Sequence, residues 1–258
     1  MITALRLLMT PLLIAGATLA GRRWGPRVSG WLIGFPLTSA PVSILLTLQY
    51  GPEFAIRAAV GNIAGLASIC AFSLAYSFIA PKRHWAISAI VAALAFFAAT
   101  IIWNSASLGL LPTFVIVAIS IGLFLLIVPQ QTIGAASTAA PRWDLPARML
   151  IATIFVFTLT SIAPLLGAQL SGLLTPFPIF GTVLSAFAHR QQGAAAAIQL
   201  LRGMALSLFG VAGFFLVVGS LLTTWGLLPT YLLATLVTFL SNGLALHLAQ
   251  RSSPAPIS

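Results

Sequence analysis

Apolar windows of about 20 residues recur along this chain, and that recurrence restricts its fold more than any other feature. An α-helix rises about 1.5 Å per residue, so roughly 20 apolar residues cross the ~30 Å hydrocarbon core of a bilayer. Nine windows fit: residues 2–20, 30–48, 58–80, 85–103, 110–129, 147–166, 172–188, 203–222 and 228–247. In water such a chain could not cover itself with polar surface. Hydrophobic residues make up 60% of the 258, charged residues 5%, and the mean hydropathy is +1.09. The expected fold class is therefore an all-α polytopic membrane protein with the lipid bilayer as its first partner.

Twelve basic and two acidic residues give a net charge of +10. In a soluble protein that balance would suggest nucleic acid, but here the basic residues sit in short loops between apolar windows, so no nucleic-acid partner is expected. Arg22, Arg23, Arg27, Lys82, Arg83, Arg142, Arg190 and Arg251 fall on one side of a nine-span topology. Neutral connections fall on the other, together with Glu53 and Arg57. The positive-inside rule makes the first side cytoplasmic, with the N-terminus outside and the C-terminus inside. A signal peptide over residues 1–20 is the alternative; the basic GRRWGPR that follows resists translocation and favours a retained first span.

Displacement by 142 residues aligns positions 6–77 with 148–219 without a gap. Arg6 meets Arg148, Gly25 meets Gly167, and Ser29 and Gly30 meet Ser171 and Gly172. Phe35 and Pro36 meet Phe177 and Pro178, Ser43 meets Ser185, Gln49 meets Gln191, Gly51 meets Gly193, and Gly61 meets Gly203. Leu and Ala coincide by chance in membrane sequences, so the Gly, Pro, Gln and Arg matches carry the duplication. One extra span between two four-span repeats would turn the second upside down. Basic RRWGPR then corresponds to neutral PLLGAQ, and PKRH to TTWG, as inversion demands. The expected organisation is a first repeat over 1–103, a linker helix and cytoplasmic loop over 104–141, an inverted second repeat over 142–250, and a tail over 251–258.

The run SGLLTPFPIFGTVLSAFAHRQQG, residues 171–193, resembles the GlpM family through its G-L-x-x-x-F-P core. The likeness covers residues 148–247 best, is weaker over 6–103 and omits the span 110–129. It implies two four-helix bacterial inner-membrane units fused through a linker helix, and a dual-topology ancestor. It also implies an association with envelope polysaccharide production, without fixing an activity.

Soluble-type catalysis needs converging acids, bases or metal ligands. Glu53 and Asp144 are the only acids, the three histidines have no i, i+4 partner, and Cys70 is the only cysteine. No catalytic residue, metal site or cofactor is expected, and the chain does not read as an enzyme. No window holds a central carboxylate, which weighs against a carboxylate proton relay. Glu53 and Arg57 have the spacing of a surface i, i+4 pair.

The candidate binding residues are Gly34 and Pro36 with Pro41 in the second window, and Pro176, Pro178 and Gly181 in the seventh. Proline removes a backbone donor and breaks the turn before it, so these positions are either packing kinks or openings onto a pathway. Broken spans at equivalent places in inverted repeats point to the pathway. Arg57 and Arg202 near the third and eighth windows, with Gln199 and Asn62, complete the set. If those helices begin as early as Glu53 and Gly193, both arginines lie within the bilayer; if they begin later, Arg202 snorkels to the interface. The leading expectation is a secondary-transporter-like permease moving a small polar or anionic solute by alternating access. The alternatives are a non-transporting accessory or scaffold protein of an envelope polysaccharide complex, acting with that partner or as a homo-oligomer, and a channel or lipid scramblase.

Overall fold

The computed structural model describes residues 2–36, 39–106, 108–131, 143–162 and 177–251, and every regular element among them is a helix. The first five are α1 (Ile2–Trp24), α2 (Pro26–Ile33), α3 (Ser39–Tyr50), α4 (Pro52–Ile79) and α5 (Trp85–Asn104). Then come α6 (Leu110–Ile127), α7 (Asp144–Ile162), α8 (Ile179–Gln192), α9 (Ala194–Trp225) and α10 (Leu227–Arg251). Pro26 and Pro52 open their helices, and Pro112, Pro146 and Pro229 lie in the first turns of theirs. At those positions the missing N–H has no intrahelical acceptor to lose.

Five helices, α4, α5, α6, α9 and α10, are long and apolar enough to cross a membrane. Their outward faces carry exposed Ile90 and Leu94 on α5, Leu123 and Leu126 on α6, and Leu236 and Leu240 on α10. Such faces suit lipid rather than water. The predicted span 30–48 is not one helix: α2 has eight residues and α3 twelve, with a non-helical break at 34–36. The physical cause is the Gly34-Phe35-Pro36 sequence, because Pro36 cannot donate to a continuing helix ladder.

Two helices start well before the sequence windows suggest. α4 begins at Pro52 rather than 58, and α9 at Ala194 rather than 203. Each follows a glycine in nearly the same conformation, Gly51 at φ 85°, ψ 170° and Gly193 at φ 89°, ψ 175°. This backbone region is open to glycine and strained for other residues, so the chain reverses there and the helix starts at once. Helix starts also recur at the 142-residue offset of the sequence matches. α1, α4 and α5 begin at Ile2, Pro52 and Trp85, and α7, α9 and α10 begin 142 residues later, at Asp144, Ala194 and Leu227.

The 32-residue α9 is the central element, packed against α2, α4, α6, α8 and α10. Its contact with α2 is backbone on backbone. A Cβ on Gly30 would fall on the Leu200 carbonyl, one on Gly34 on the Ser207 hydroxyl, and one on Gly203 on the Arg27 carbonyl. Lipid tails are as apolar as leucine, so helices in a membrane gain most from such close approach of small residues.

Candidate functional site

Arg202 lies nine positions into α9, which begins early enough to carry it, and is 7% exposed. Its Nη1 donates to the Leu125 carbonyl at 2.8 Å, near the end of α6. That carbonyl needs an outside donor because the residue four positions on, Pro129, has no N–H. Gln199, one turn earlier and also 7% exposed, donates from Nε2 to the Gln131 carbonyl at 2.6 Å. The two α9 side chains thus hold the C-terminal end of α6, where a cation is favoured by the helix dipole. Neither is fully satisfied: Arg202 Nε and Gln199 Oε1 are buried without a hydrogen-bond partner.

Arg27, at the start of α2, adds a second guanidinium to this junction. Its backbone carbonyl lies against Gly203, the residue after Arg202, and its Nε is also buried and unpartnered. No carboxylate compensates the pair. The chain has two acids, and both are engaged elsewhere, Glu53 with Arg57 and Asp144 with Arg22 and Arg148.

The other predicted site residues do not all gather here. Arg57 is exposed and stands 3.9 Å from exposed Glu53, so it shares no site with Arg202. A pair this open to solvent adds little stability. Asn62 donates to the carbonyl of Ala58 one turn back on its own helix, at 2.8 Å. Gly34 and Pro36 are buried at the α2 break, with Gly34 against α9. Pro178 precedes α8, and its carbonyl accepts the Thr182 amide at 2.8 Å and the Thr182 hydroxyl at 2.9 Å. Gly181 faces Met204 of α9, whose sulfur lies 2.9 Å from where a Cβ would stand. Gly34 and Gly181 therefore meet the same central helix from the ends of α2 and α8. Pro176, Gly167 and Gly172 lie outside the described residues, as do residues 132–142 and those after Arg251.

A charged centre that sequence reasoning missed stands beside this junction. Asp144, at the first position of α7, is fully buried. It accepts from Arg22 Nη2 at 2.9 Å, from Arg148 Nε at 2.9 Å and from Gln191 Nε2. Arg148 also donates to Gln191 Oε1 at 3.1 Å and lies 4.8 Å over the Phe187 ring. Asp144 precedes the apolar stretch of α7. Burial raises its pKa, but the hydrogen bonds from Arg148, Gln191 and Arg22 outweigh burial and hold the carboxyl below its ordinary range. Thr18, Ser29 and Gln192 join these groups around a small cleft of about 30 Å³. The i, i+4 spacing of Asp144 and Arg148 was the one local signal for this centre. Among the described residues no group of His, Cys, Asp and Glu is arranged to hold a metal ion.

The helices and these interior groups define a polytopic helical membrane protein with an acid-poor, arginine-rich junction around α9. Searches of protein-family models, curated proteins and solved structures each return no match to the chain.

Proposed function

We propose that this protein is a permease of the bacterial inner membrane that moves a small polar or anionic solute by alternating access between two inverted repeats. The reading takes nine spans as two four-helix repeats, 1–103 and 142–250, joined through the linker helix α6, with the N-terminus outside and the C-terminus cytoplasmic. Three pairs of helix starts at the 142-residue offset and the matched Gly51 and Gly193 turns support the duplication. The exchange of basic for neutral loops supports the inversion. The G-L-x-x-x-F-P core supports descent from a GlpM-like unit.

One observation carries the transport reading. Arg202 is buried within a long apolar helix beside Arg27, with no carboxylate partner and with donor capacity left on both guanidiniums. A guanidinium is permanently charged and fits carboxylate or phosphate through paired donors, so an anionic group is the natural complement of this junction. Buried charges within a membrane are costly and mark solute pathways.

The test is uptake of radiolabelled phosphate and acetate, and of small sugar phosphates, into proteoliposomes. Flux of at least one anion should occur, Arg202→Ala should abolish it while membrane insertion persists, and Arg202→Lys should weaken it. Arg251→Ala is the control expected to change nothing. Parental flux in Arg202→Ala removes the assignment.

A second reading has its own support. Gln199 and Arg202 both bind carbonyls near the end of α6, an arrangement that also suits a rigid scaffold for an envelope polysaccharide complex. A co-purifying synthase together with no anion flux would favour it.

A further inference from the structure

Resting on the permease reading, we propose that the solute travels along the seam where α2, α9 and α10 meet, and that the Asn242 carboxamide is a hydrogen-bonding station on that route. Asn242 of α10 is fully buried, and neither its Nδ2 nor its Oδ1 has a hydrogen-bond partner. The carboxamide lies against Gly210 of α9, with Oδ1, Cγ and Nδ2 2.5–2.6 Å from where a Cβ would stand. Its backbone carbonyl accepts from Trp31 Nε1 of α2 at 3.2 Å, so the residue marks the meeting of three helices. One turn earlier, Thr238 bonds to the Gly210 carbonyl at 3.2 Å and to Ala234 at 2.9 Å.

An unpaired buried carboxamide is worse for a packed helix interface than an apolar residue of similar size. Its retention is explained if another conformation of the seam admits water or solute to it. Asn242 is also the far end of a series. Along α9, Gly203, Ser207 and Gly210 face the seam in turn, opposite Arg27, Gly34 and Asn242. The series begins at Arg27 of α2, against the residue that follows Arg202, and ends in a neutral donor–acceptor pair. It fits a small anion that also carries a hydroxyl or amide group.

The seam is built to part. Gly30, Gly34 and Gly203 bring backbone against backbone, leaving few interlocked side chains to withdraw. α2 is only eight residues long and ends at the break before Pro36, so it can tilt without unwinding a longer helix.

Single cysteines at Ser207 and Asn242, each in a Cys70→Ala background, test the route in proteoliposomes with a membrane-impermeant sulfonate methanethiosulfonate. Native Cys70, buried in α4, is the reference. Both seam cysteines should react at least tenfold faster than Cys70; equal or slower reaction at both overturns the route. Asn242→Leu guards against misfolded cysteine variants: its melting temperature should not fall, while anion flux drops at least tenfold. A lowered melting temperature, or parental flux, assigns Asn242 to packing and overturns its role. Anion flux without seam labelling overturns the route alone. Labelling without flux in the native protein overturns the permease reading and the solute route together.

Discussion

Arg22 Nη2 and Asp144 Oδ2 stand 2.9 Å apart although 122 positions separate them in the chain. The bond joins the end of α1 to the start of α7, and Arg148 and Gln191 complete the shell of the carboxylate. Removing one member of a buried charged group leaves the others uncompensated, at a typical cost of about 3–5 kcal/mol. Arg22 is partly exposed, so Asp144→Asn should fall near the lower figure, about 3 kcal/mol, measured by unfolding in detergent. Unchanged stability would show that the cluster is not a structural tie.

The same carboxylate sets a pH dependence. Its folded pKa is below its unfolded value, so its contribution is complete above the ordinary carboxylate range and is lost as pH falls through the folded value. Native protein should lose stability on acidification below about pH 4, and Asp144→Asn should flatten that part of the profile. Parallel profiles for the two proteins would count against the assignment.

Gly51 and Gly193 should respond alike to substitution. Gly51→Ala and Gly193→Ala each place a Cβ at positive φ, at a cost of about 1–3 kcal/mol, although neither site meets a neighbouring atom within 4 Å. Equal losses in thermal unfolding would tie both to backbone conformation. A negligible loss at either site would mean that the turn tolerates a side chain.

Gly30 and Gly203 should tolerate nothing larger. Gly203→Val would drive a side chain into the Arg27 carbonyl, and separation of α2 from α9 should prevent folding to a monodisperse species on size exclusion. Gly61→Ala is the matched control, because Gly61 faces open space. Monodisperse, native-like Gly203→Val would refute the close crossing.

Orientation is checked by labelling. A cysteine at Leu108, in the connection before α6, should label from outside, and a reporter after Ser258 should be cytoplasmic. External labelling at Lys82–His84 would overturn the nine-span arrangement.

Apolar periodicity made the helical membrane class legible, and Pro36 marked the place where α2 gives way to α3. The start of α9 was hidden because Gln199 and Arg202 cut the apolar window short, although the alanines from Ala194 onward are strong helix formers. Arg202 was legible as a residue of interest, but its acceptor was not, since the Leu125 carbonyl becomes available only through Pro129 and a tertiary contact. Asp144 was harder still. Its partners Arg22 and Gln191 come from distant helices, and nothing local announces that they converge.

The carboxylate at position 144 has no counterpart in the first half, where the matching residue is Ile2, although Arg6 and Gln49 match Arg148 and Gln191. Its salt bridge to Arg22 therefore runs one way, from an acid found only in the second half to a base whose own counterpart is Pro164. Two copies of either half could not rebuild that bond: one pairing would lack the acid and the other would lack its outside base. Under the proposed duplication the chain is an internal heterodimer, its halves bound at this point by complementary rather than identical surfaces, so that neither half can take the place of the other.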